Sequence, residues 1–86
     1  MDEELDKALG VFKTRDMNLS ACLMVEGVEY LRTEHDAENS RRLIFIFKAD
    51  PNIARIQADR ANGTHVVSST NYDDALRRVK TVIHSM

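Results

Sequence analysis

Three kinds of side chain in this chain of 86 residues have chemistry to offer: one thiol, three imidazoles and a scatter of arginines. Cys22 stands among Ala21, Leu23 and Met24. A nucleophilic thiolate needs a basic or helix-N-terminal neighbour to lower its pKa, and no His or Lys adjoins it in sequence. The residue therefore reads as a small buried hydrophobe, and a single cysteine, with no internal disulfide to form, fits a reducing compartment. His35, His65 and His84 fall on separate segments with no H-x-x-x-H or C-x-x-C spacing, which disfavours a metal site. His84 ends a helical segment, where the helix dipole alone favours it. His35-Asp36 has the composition of an acid–base pair, but it lies in the polar run 34–40, and catalysis requires groups fixed by a rigid scaffold. A solvated hairpin tip is the simpler reading. There is no G-x-S-x-G and no phosphate-cradling glycine loop among only three glycines. Catalytic, cofactor and metal-ligating residues are accordingly expected to be absent.

The arginines offer a different chemistry. Arg41-Arg42 leads a run bearing Phe45 and Phe47 on one face, an arrangement like the base-stacking platform of RNA-recognition domains. The glycine of that signature is missing and Leu43 shares the Phe face, so an ordinary core stripe is the stronger reading. Arg77, Arg78 and Lys80 form a second basic set on a helix, with Arg55 and Arg60 of the preceding helix expected nearby. Charge weakens both: residues 1–10 hold four of the fourteen acids and one of the twelve bases, leaving a body of ten acids and eleven bases. A domain this balanced exerts little non-specific pull on a polyanion.

The elements that would position these groups can be read in order. Residues 1–10 are acidic, and Leu5, Ala8 and Leu9 allow a short frayed helix or tail ending at Gly10. Val11 to Thr14 is strand-compatible, and Asp16 caps a buried helix to Glu26 that Gly27 stops. Val28–Thr33 and Arg41–Lys48 read as a β-hairpin, the second strand apolar on both faces (Leu43, Phe45, Phe47 against Ile44, Ile46) and therefore central. Asp50-Pro51 starts a helix that runs to Asn62 and stops at Gly63. Thr64–Ser68 reads as a last short strand. Tyr72, Ala75, Leu76, Val79, Val82 and Ile83 set the stripe of a final helix capped by Thr70 or Asn71.

The expected architecture is a single α+β domain over residues 11–86, a small single-layer sheet of three to four strands packed against two to three helices near 17–26, 51–62 and 71–85. The order β-α-β-β-α-β-α matches a ferredoxin-like pattern with an added helix. No apolar run approaches the roughly 20 residues needed to cross a bilayer, and the acidic N-terminus is the wrong sign for a secretory signal, so a cytoplasmic location is expected.

The run Phe12-Lys13-Thr14-Arg15-Asp16, then Leu19, Leu23 and Gly27-Val28-Glu29-Tyr30-Leu31, resembles the opening of a family of small uncharacterised bacterial and phage-borne domains. Leu43-Ile44-Phe45-Ile46-Phe47 and Tyr72-x-x-Ala75-Leu76-Arg77-Arg78-Val79-Lys80 are similar to it as well. The resemblance spans most of residues 12–84 and rests on core and capping positions. It implies a shared fold and carries over no site residue, and a phage or mobile-element setting would suit an accessory protein that acts by binding. The expected function is a non-enzymatic protein–protein interaction module, its partner another protein or a second copy in a homodimer. The alternative is nucleic-acid binding through Arg41, Arg42, Arg77, Arg78 and Lys80.

Overall fold

A computed structural model describes residues 3–39 and 41–85. Its elements are β1 (Glu3–Asp6), β2 (Val11–Thr14), α1 (Met17–Val25), β3 (Tyr30–His35), β4 (Leu43–Lys48), α2 (Asn52–Asn62) and α3 (Ser69–His84). The four strands form one antiparallel sheet in the order β1-β2-β4-β3. The class is α+β, as the patterning implies.

β4 is interior, and its backbone is laddered on both sides. Phe45 and Phe47 point to the helical face with Phe12, Thr14 and Tyr30 beside them in register. There they join Leu19, Leu23, Ile53, Ile56, Ala75 and Val79 in one core. Tyr30 meets Phe47 edge-on, ring centroids 5.7 Å apart, the geometry that the quadrupoles of two rings favour. On the opposite face no helix is needed. Ile46 is 0% exposed although its cross-strand neighbours are Lys13 and Arg32; the aliphatic stems of such residues cover an apolar floor while their charges stay in water.

Local signals account for the helices. Asp16 Oδ1 accepts from the N–H groups of Asn18 and Leu19 at 2.8 and 3.0 Å, capping α1. Asp50 Oδ1 accepts from the N–H of Asn52 at 2.8 Å at the start of α2. Gly27 and Gly63, with φ of 82° and 71°, make the left-handed exits that a side chain would strain.

Three expectations are corrected. Residues 3–6 are neither a tail nor a frayed helix: they pair with β2 through a turn in which Asp6 Oδ1 accepts from the N–H of Leu9 at 3.1 Å. A helix of so few residues has little stability of its own, whereas a strand gains a ladder. Met1 and Asp2 lie outside the described residues. Second, 64–68 forms no strand. The N–H of Thr64 donates to the Asp59 carbonyl at 2.8 Å, closing α2, and Ser68 Oγ accepts from the N–H of Asn71, capping α3. Both ends of the segment are committed to helix termini, and Val66 is left 86% exposed. The fourth strand is thus β1, the order is ββαββαα, and the ferredoxin-like order is not formed. Third, α3 is capped by Ser68, ahead of Thr70 and Asn71.

Because Phe47 ties the central strand to the helices, Phe47→Ala should lower unfolding free energy by about 3–5 kcal/mol. Urea denaturation checks this; a loss under about 1 kcal/mol, the scale of an ordinary surface change, would show that the ring is not a core member.

Candidate functional site

The end of the sheet where β2 stops and β4 starts carries a cleft of about 410 Å³. Its rim holds Arg15, Arg41 and Arg42 with Asp16, and its floor is Met17, Leu43, Phe45 and Ile83. Arg15 arrives on the residue that follows β2, Met17 opens α1, and Ile83 comes from the last turn of α3. Arg41 and Arg42 sit on the β3–β4 loop.

That loop is a closed structure. The N–H of Asp36 donates to the Arg42 carbonyl and that of Arg42 to the Asn39 carbonyl, both at 2.9 Å. Asn39 Oδ1 also accepts from the N–H of Arg41 at 3.1 Å. Asp36 anchors it: only 8% exposed, it receives Nε and Nη2 of Arg15 on Oδ2, each at 2.8 Å, and the N–H of Glu38 on Oδ1 at 3.0 Å. The Glu38 backbone bond first, and then the Arg15 guanidinium, hold the Asp36 carboxyl below the usual carboxylate range. Asp36 is therefore a buried tether for the loop and not part of a solvated tip.

The predicted basic residues divide. Arg41 and Arg42 share the cleft. Arg77 and Arg78 line a separate shallow depression with Asp74 and Thr81, and Lys80 is exposed on α3 and lines neither. All five lack an ion-pair partner among the described residues. Arg55 and Arg60 do not join them. Arg55 Nη2 holds Glu26 at 2.8 Å and Nη1 holds Asp59 at 3.2 Å, while Arg60 Nη1 lies 3.7 Å from Asp16 Oδ2. Phe45 and Phe47 are fully buried, so they offer no platform for bases. Arg15, Met17 and Ile83 escaped sequence reasoning as members of a site, and so did the pairing of Arg15 with Asp36, which meet across 21 positions with no local pattern to announce it.

The remaining reactive groups lie elsewhere. Cys22 is buried in the core, and burial pushes its thiol pKa up, with Arg60 opposing and Asp16 and Glu26 adding to the rise. Tyr72 donates its hydroxyl to Asn18 Oδ1 at 2.9 Å beside it, and burial raises that phenol too. The His65 side chain is 8% exposed, with Nε2 at 3.4 Å from Glu26 Oε1. Among the described residues, no three His, Cys, Asp or Glu gather closely enough to hold a metal ion, and no helix is long and apolar enough to cross a membrane.

Residues 10–85 match the model of a family described as a domain of unknown function, DUF5659. The chain belongs to that family. No curated protein and no solved structure shows significant similarity to it. The DUF5659 match takes in β2 through α3 and every residue of the cleft, and it begins at Gly10, leaving β1 outside the matched span.

Two outcomes test this geometry. Asp36→Asn should lower the melting temperature at pH 7. A carboxylate with a depressed folded-state pKa contributes stability above its unfolded pKa of about 3.9 and loses it as pH falls through the folded value, so wild type and variant should converge only in strong acid. Equal melting temperatures at pH 7 would show that the tether contributes nothing. Cys22 should resist alkylation at neutral pH in the native state and react once the chain unfolds; rapid labelling of native protein would contradict its raised pKa.

Proposed function

We propose that this DUF5659 domain is a non-enzymatic interaction module that receives an acidic segment of a protein partner in the cleft between Arg15, Arg41 and Arg42. The observation that carries this reading is the juxtaposition of two exposed guanidinium groups, with no ion pair among the described residues, and an apolar floor of Met17, Leu43, Phe45 and Ile83. Guanidinium forks favour carboxylates, and the floor favours a bulky aliphatic or aromatic side chain next to them in the ligand. An extended peptide with alternating acidic and apolar residues meets both requirements. The near-neutral body argues against a duplex, whose capture depends on many phosphate contacts. Asp73 and Asp74 also stand one helical turn from Arg77 and Arg78 on α3, diluting that face as a polyanion surface. A reducing cytoplasmic setting and a role as an accessory protein accord with the single buried thiol.

Fluorescence anisotropy with a labelled Asp/Glu-Leu peptide, a Lys/Ser control peptide and a single-stranded oligonucleotide tests the reading. The acidic peptide should bind alone, and Arg41→Ala with Arg42→Ala should weaken it by roughly tenfold or more, given about 1.5–3 kcal/mol for each hydrogen bond to a charged group. Preference for the oligonucleotide, with a further loss in R77A/R78A/K80A, would replace it with the nucleic-acid alternative. Binding unaffected by the cleft substitutions would overturn it.

A further inference from the structure

The cleft is one half of a charge pattern spread across a single end of the sheet. Along that end the strands run β1-β2-β4-β3. At the β3–β4 side lie Arg41 and Arg42. At the opposite side β1 begins, with Glu3 and Glu4 paired to Thr14 and Lys13 just before Arg15. The register puts Glu3 and Leu5 on the same face as Thr14 and Phe12, the helical face into which the cleft opens. Leu5 is 51% exposed there, an aliphatic side chain flanked by acids. The chain therefore carries, on its own edge strand, a segment of the acidic-and-apolar chemistry that the cleft would receive.

The geometry has a consequence for two copies. A two-fold axis normal to the sheet and passing through the middle of this end exchanges its left and right sides and leaves the helical face where it was. It brings β1 of one copy opposite the β3–β4 loop of the other, twice over. An interface that places acids against arginines in both halves is self-complementary and closes at two, where a one-way contact would propagate.

We propose that the cleft's occupant is the start of β1 of a second copy, giving a reciprocal homodimer in which Glu3 and Leu5 of each chain lie against Arg41 and Arg42 of the other. This rests on the reading of the cleft as a site for acidic protein segments and assigns its partner. Because its specificity is electrostatic, the association weakens as salt rises.

Sedimentation equilibrium on the full chain tests it by charge exchange. Wild type should be dimeric at low salt and dissociate as salt rises. Glu3→Lys should weaken the dimer at least several-fold and Arg41→Glu with Arg42→Glu should be monomeric, each with the circular dichroism of wild type. An equimolar mixture of the two should recover the dimer, since each reversed side then meets its complement. A wild-type monomer at all concentrations, or a dimer insensitive to both reversals, overturns the proposal. If wild type is monomeric yet the acidic peptide binds through Arg41 and Arg42, the cleft reading stands and only the self-partner falls. If both are absent, both fall.

Discussion

α1 has to be enclosed. Leu19, Ser20, Ala21, Cys22 and Leu23 are five consecutive buried residues, so the helix has no solvent-facing stripe through its middle, and packing must arrive from more than one side. Even Ser20 is made compatible with the interior, its hydroxyl donating to the Asp16 carbonyl at 2.9 Å. Phe12, Phe45 and Phe47 supply the sheet side of the enclosure, Ala75 and Val79 of α3 and Ile53 and Ile56 of α2 the rest. The demands of this one short helix draw the other two to the same face of the sheet and leave the opposite face to be roofed by charged stems.

That constraint also makes the cleft. The chain leaves β2 and enters α1 within two residues, Arg15 and Asp16, so a basic residue and a helix start are fixed at the sheet's end. β4 starts at the same end because it runs antiparallel to β2, and the residues before it, Arg41 and Arg42, arrive with it. The Arg15–Asp36 pair closes the arrangement by drawing the β3–β4 loop against the start of α1. Charge separation across the sheet end follows from topology: an N-terminal acidic strand is added beyond β2, as far as possible from the basic loop beyond β4.

How much of this the sequence discloses depends on the range of the interactions. The two-faced apolar run of β4, the caps at Asp16 and Asp50, the glycine stops and the stripe of α3 are local, and each is legible where it stands. β1 is not. Glu3–Asp6 has no strand-forming pattern of its own, and its conformation is decided by the free edge of β2. The opposite error at 64–68 has the same origin, since Thr64 and Ser68 are claimed by the ends of two helices that a residue-by-residue reading treats separately. Arg41 and Arg42 were legible as exposed basic residues, but their partners in the cleft were not, because Arg15, Met17 and Ile83 come from three other parts of the chain.

Proton affinities record the same contacts that build the fold. A general acid or base works best when its pKa lies near the working pH. The clear shifts among carboxyl, thiol and phenol groups here run the other way: Asp36 is held ionised by its backbone bond and by Arg15, while Cys22 and Tyr72 are held protonated by burial. Each shift has its cause in contacts that build the fold. Asp36 spends its charge on fixing the loop, leaving Arg41 and Arg42 beside it with positive charge and no partner among the described residues. On the proposed reading, guanidinium charge held next to an apolar floor is what an acidic and apolar segment meets in the cleft.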